Sequence, residues 1–270
     1  MRHKIIVSLI FFALFCLMAQ TVSAAPDQEA TPKPFKFSIQ SESATSPEAL
    51  VHSMTTFMKA LPQFYVAGQV DYDKIFPDNN KILYSFDFDY YVKRPGSFQL
   101  NLDGDEQNKQ ILFNGKTLTI YDADKAMYAV IESPSTLSID EMLDKAKEHK
   151  LMLALLDVGR SNFGDNLLKD VVKSAYVGLS SVGDISCHHV AFAKKDLSYQ
   201  LWIEEGDKPF LRKFTVTLKT NPAMPSWTAE ITDWNLAPVL PEGWTEFVPK
   251  AGMKKIEFLK PSTQPVSAAK

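Results

Sequence analysis

The stretch 82–92 reads Ile82-Leu83-Tyr84-Ser85-Phe86-Asp87-Phe88-Asp89-Tyr90-Tyr91-Val92, with an apolar or aromatic residue at every second position. A β-strand sends successive side chains to opposite faces. The pattern therefore dictates a long strand with one greasy face and one mostly wet face, the latter bearing Ser85, Asp87 and Asp89. Such a strand needs partners on both edges and a cover over its apolar side.

The remaining chain supplies both. Strand patterns occupy 64–76, 98–102, 111–113, 117–121 and 127–131 on one side of a helical region, and 174–181, 185–193, 198–204, 211–219 and 227–235 on the other. Asn114-Gly115 is a strong hairpin signal, and Glu205-Gly206-Asp207-Lys208-Pro209 forms a second short link. Short links make the pairing antiparallel. Ser46-Pro47-Glu48 is a helix start with cap, proline and acid in their favoured places. Leu50, Met54, Phe57, Met58 and Leu61 follow at helical spacing, and Pro62 ends the helix. Ser138-Ile139-Asp140-Glu141 is a capping box opening a second helix. Residues 151–156 are apolar nearly all round, so burial on more than one side is expected, and a shorter helix is expected around 166–172. The expected architecture is α+β: a strongly curved antiparallel sheet of about ten strands, an incomplete β-barrel, with two or three helices covering its concave face.

The chain start is of another kind. A short basic opening, an apolar run over 5–19 and Thr21-Val22-Ser23-Ala24-Ala25 form a secretory signal peptide over 1–24, with cleavage expected after Ala24. Cys16 lies inside the apolar run after Phe15, so it is read as part of the signal and not as a lipidation site. Residues 25–45 read as a flexible leader, 46–260 as a single domain and 261–270 as a disordered tail. No other segment is long and apolar enough to span a bilayer.

Removing Arg2 and Lys4 from the 29 basic residues leaves 27 against 32 acidic ones, a mature net charge of about −5. With no basic block, nucleic acid is not an expected partner and attraction to anionic lipid is weak. Only Cys187 survives processing, so the exported domain must hold together through its core and not through an internal disulfide.

The second half carries Tyr176-Val177-Gly178, Cys187-His188-His189-Val190-Ala191-Phe192, Gln200-Leu201-Trp202-Ile203-Glu204, Arg212-Lys213, Asp233-Trp234 and Phe247-Val248-Pro249-Lys250-Ala251 with Lys255-Ile256-Glu257-Phe258. The first half carries Arg94-Pro95 and Asn114-Gly115-Lys116. With these residues the chain resembles a family of predicted periplasmic bacterial proteins without an assigned activity (DUF2092). Two positions depart from the family pattern: Tyr199, where Trp is usual, and Phe210, where a small residue or proline is usual. More remotely, the order helix, strands, helices, strands is similar to the fold of periplasmic lipoprotein carriers and outer-membrane lipoprotein receptors (LolA/LolB-like), and to an envelope-stress regulator that senses mislocalised lipoproteins. The resemblance implies a curved, incomplete barrel with helices plugging its concave side.

Three polar groups invite a catalytic or metal reading. Neighbours on a strand point apart, so Cys187 and His189 share one face and His188 takes the other; ordinary strand histidines and a buried thiol are expected. Asp87 and Asp89 share a face that solvation alone explains. Asp103-Gly104-Asp105-Glu106 is followed by Gln107 and Asn108 where a calcium loop needs a ligand and then a glycine, so it reads as a turn. No catalytic constellation, metal site or cofactor motif emerges.

The positive signal is apolar. Tyr84, Phe86, Phe88 and Tyr90, with Phe98 and Leu100 on the next strand, would line one sheet face. Leu201, Ile203, Phe214 and Val216 would continue it from the second half. The expected function is a periplasmic protein that holds a lipid or lipoprotein acyl chain between sheet and helices. The alternative is an envelope sensor or scaffold with a fully packed core and a protein partner. A metal-dependent or esterase-like enzyme is the weakest of the three readings.

Overall fold

A computed structural model describes residues 46–258 except 79, 150, 152 and 153. The signal peptide, Cys16, the cleavage site, the leader and the tail lie outside the described residues.

The elements run α1 (Pro47–Ala60), β1 (Gln63–Ile75), β2 (Lys81–Lys93), β3 (Ser97–Gly104), β4 (Asn108–Phe113), β5 (Thr117–Asp122) and β6 (Met127–Glu132). Then come α2 (Ile139–Glu148), α3 (Ala154–Asp157), α4 (Phe163–Leu168), β7 (Lys173–Val182), β8 (Ile185–Ala193), β9 (Leu197–Glu204), β10 (Leu211–Leu218), β11 (Ser226–Asn235) and β12 (Lys254–Lys255). All strands belong to one sheet in the order β12-β6-β5-β4-β3-β2-β1-β11-β10-β9-β8-β7. It consists of two antiparallel meanders, β1 to β6 and β7 to β11, joined where β1 pairs with β11. The chain's return brings β12 parallel to β6.

The sheet is open, with β7 and β12 as edges. At about 4.8 Å per strand, β3 and β10 would stand about 19 Å apart in a flat sheet. Leu100 and Leu102 of β3 nevertheless line one cavity together with Val216 and Leu218 of β10. Only a strongly curved sheet brings them together.

Each element follows its local chemistry. Ser46 Oγ accepts from the Ala49 amide at 3.0 Å to start α1, and Leu50, Val51, Met54 and Met58 bury one stripe of it. In β2, Phe86, Phe88, Tyr90 and Val92 are buried while Asp87 is exposed, as the alternation requires. The first residues of β2 differ. Ile82 and Leu83 are exposed because β3 reaches only as far as Gly104 opposite Phe86, leaving 81–85 paired with β1 alone.

Three expectations change in detail. The sheet has twelve strands and the described residues hold four helices, against about ten and two or three. The last helix lies at Phe163–Leu168, upstream of 166–172, because Lys169 caps it on Asp165 and Asp170 then takes a positive φ of 59°. And β4 begins at Asn108, where polar residues carry no strand pattern but Asp103 pairs with Asn108 across the turn.

The capping box at α2 is complete: Ser138 Oγ accepts from the Glu141 amide at 3.3 Å, and Glu141 Oε2 accepts from the Ser138 amide at 2.7 Å. The two Ser138 donors hold the Glu141 carboxyl below its ordinary range, so its stabilising contribution is present at neutral pH and lost as the pH falls through that lowered value. Ser138→Ala is expected to cost about 1 kcal/mol, read as a fall of about 2–4 °C in the thermal midpoint. An unchanged midpoint would show that α2 is held by packing alone.

Candidate functional site

Between the helices and the curved sheet the apolar surfaces do not meet everywhere. One cavity of about 470 Å³ is walled by Leu143 and Ala146 of α2, Leu156 of α3, Phe163 and Leu167 of α4, and by Tyr199, Leu201, Phe214, Val216 and Leu218 of β9 and β10. A second, of about 400 Å³, is walled by Tyr72, Phe86, Leu100, Leu102, Leu155 and Trp227. The two share Ala154, Val216 and Leu218. Ala154 and Leu218 are exposed, so the shared boundary is also where the pair of cavities meets solvent.

Polar bonds fix the far side of the plug. Tyr90 Oη donates to the Leu156 carbonyl at 3.3 Å, and Arg94 Nη1 donates to the Gly159 carbonyl at 2.6 Å. The fully buried Arg160 guanidinium donates to Asp157 at 2.7 Å, to Asp144 at 2.9 Å and to the Asp140 carbonyl at 3.2 Å. Ser161 donates through its amide and hydroxyl to Asp140. Gly159 is required here, because a Cβ at that position would lie 2.2 Å from Tyr90 Oη. Burial raises the Tyr90 phenol well above its ordinary value, so it remains a donor.

Of the residues expected to line a ligand site, Phe86, Leu100, Leu201, Phe214 and Val216 border one or both cavities. Tyr84 is half-buried and stacks on Tyr72, with ring centres 5.9 Å apart. Phe98 packs between Tyr90 and Phe113, and Phe88 and Ile203 are buried in the same core cluster. Sequence reasoning did not single out Ala154 or Lys194. A small residue in an apolar run and a hairpin lysine carry no local mark of a cavity wall.

The tempting polar groups are spread apart. His189 stacks on Trp202 with ring centres 4.1 Å apart and is hydrogen-bonded to Gln200 at 2.8 Å. His188 lies in register with Ile203 on the other face, bonded to Tyr176 Oη at 3.1 Å. Cys187 is buried, and burial pushes its thiol pKa up. On the outer face Asp89 accepts from Asn101 at 2.7 Å, and burial raises its carboxyl against that bond. Asp105 accepts from the Ser85 amide at 3.0 Å, so it serves the turn. Among the described residues no group of three or more His, Cys, Asp or Glu side chains is placed to hold a metal, and no helix is long and apolar enough to cross a membrane.

A family model described as "Predicted periplasmic protein (DUF2092)" matches residues 47–259. No curated protein sequence matches the chain. Similar solved structures include the lipoprotein LppX of Mycobacterium tuberculosis, at 15% identity and a TM-score of 0.42, covering 71% of this chain and 96% of that one. LprF of Mycobacterium bovis is similar at 12% identity and a TM-score of 0.44, covering 73% and 98%. A LolA superfamily protein of Nitrosomonas europaea is similar at 14% identity and a TM-score of 0.33, covering 75% and 99%.

Proposed function

Because the chain belongs to the family of predicted periplasmic proteins DUF2092, we propose that it is exported by a signal peptide cleaved after Ala24 and that its domain, 46–260, binds an apolar ligand in the periplasm. The ligand is a lipid or a lipoprotein acyl chain, held between the curved sheet and helices α2 to α4. The observation that carries this reading is the pair of adjoining cavities, about 470 and 400 Å³, with largely apolar walls and a shared opening at Ala154 and Leu218. Small-molecule sites span about 300–1,000 Å³ and are lined in this way.

The energetics fit a carrier. Burying about a dozen methylenes gains roughly 10 kcal/mol gross. Ordering the ligand and the side chains around it offsets part of that gain. The balance is an affinity from which the ligand can be released. Phe86, Leu100, Leu201, Phe214 and Val216 supply the sheet's contacts. The reading is of binding without catalysis, in keeping with a buried thiol and two histidines held apart on opposite faces of one strand.

Native mass spectrometry of the protein purified from an envelope extract is expected to show co-purified lipid, and the stripped protein is expected to bind a fluorescent fatty acid. Failure of both would overturn the reading and favour a scaffold that binds a protein partner through its outer surface.

A further inference from the structure

We propose that Lys194 makes the larger cavity selective for acyl ligands that end in an anion, a carboxylate or a phosphate, over acyl ligands with a neutral head. The inference rests on the lipid-binding reading above and narrows its ligand class.

The cavity of about 470 Å³ is lined by two charged side chains, Asp157 and Lys194. They differ in how they are matched. Asp157 is paired with the buried Arg160, whose Nε lies 2.7 Å from its carboxylate and whose charge is shared with Asp144. Lys194 has no carboxylate within 4.0 Å among the described residues. Its ammonium donates to the neutral Asn166 carbonyl at 3.0 Å and lies 5.6 Å from the centre of the Tyr199 ring. An ammonium carries three protons, and Asn166 is the one hydrogen-bond acceptor the described residues offer it.

The surroundings favour an incoming anion. Asp170 and Asp196 act on Lys194 from longer range, and Lys169 opposes them. Lys219 bonds through its ammonium to the Lys194 carbonyl, adding another cation at this end of β9 and β10. Burial lowers the Lys194 pKa, the mark of a cation short of solvation. Leu218, exposed and in register with Leu197, opens the cavity at this same end. An acyl chain lying among Leu143, Leu156, Phe163, Leu201 and Phe214 would therefore bring its head to Lys194 on the way out. A charge-assisted bond there replaces lost water; an ester head offers only a neutral carbonyl acceptor, and so a weaker bond and no counter-charge.

The test uses the exported, delipidated protein with palmitate, methyl palmitate and dioleoylphosphatidylglycerol as competitors of a fluorescent fatty-acid probe. Lys194→Met keeps the aliphatic stem and removes the charge. The variant is expected to lose roughly tenfold to a hundredfold in palmitate affinity while binding methyl palmitate as before, and Lys194→Arg is expected to restore most of the loss. If the parent binds the acid and its ester equally, or if Lys194→Met leaves the preference intact, the selectivity is overturned while the cavity reading stands. If the parent binds neither, both fall. A Lys194-dependent preference for phosphatidylglycerol over palmitate would identify phosphate as the anion, and the reverse would identify carboxylate.

Discussion

Replacing Gly68 by alanine is expected to lower the thermal midpoint by about 10 °C or to leave the protein unfolded. Gly68 sits in β1 at the join between the two meanders, beside the register shift where Ala67 pairs with Asp233 and Gly68 with Ile231, leaving Thr232 as the extra residue. A Cβ there would lie 2.0 Å from the Glu230 carbonyl oxygen and 3.0 Å from Ile231 Cα. Both are backbone atoms, so no rotamer change can make room. Room is scarce, because β1 is paired along its length with β2, and β11 is paired with β10 as far as Glu230, whose carbonyl is the atom met. Overpacking costs about 1–3 kcal/mol, and the upper end is expected where the atoms met are backbone. A melt followed by circular dichroism within a degree or two of the parent would show that the join tolerates splaying.

The second large effect concerns binding and not stability. Ala154→Trp is expected to abolish binding of a fluorescent fatty acid, with a loss of more than about a hundredfold, while the thermal midpoint stays near that of the parent. Ala154 is exposed and borders both cavities, so an indole at that position enters space bounded by Val216 and Leu218 without displacing a packed side chain. The pairing of outcomes matters. Unchanged affinity in a folded variant would place the ligand elsewhere, whereas loss of affinity together with loss of structure would say nothing of the cavity and would call for Val216→Phe on the opposite wall.

Much of this fold was legible from local pattern. Period-two alternation over 82–92 is a direct image of which side chains face the core, and Phe86 to Val92 follow it. Ser138 and Glu141 announced α2 because a cap is a contact between residues three apart. What local pattern cannot carry is distance along the chain. The β1–β11 pairing links residues such as Val66 and Trp234 whose sequences hold no mark of each other. The buried Arg160 looks in the sequence like any loop arginine, since its burial comes from Asp140, Asp144 and Asp157 converging on it after folding.

The site was half legible for the same reason. Leu201, Phe214 and Val216 were readable as inward-facing residues, and so were Phe98 and Ile203. Which inward residues meet a wall and which meet a gap depends on the difference between two surfaces, those of the sheet and the helical plug. That difference is fixed by the tethers from Tyr90, Arg94 and Arg160, and no single residue type encodes it.

A closed barrel has its bore set by strand number and shear. This sheet has two free edges, β7 and β12, and so no such constraint. The gap beneath its helices can widen or narrow by a change of coiling shared among eleven strand pairings, each bending by a few degrees with its hydrogen bonds intact. On the proposed function, guests of different girth would be met by uncurling of the wall, with the tethered segment 156–161 as the fixed jaw.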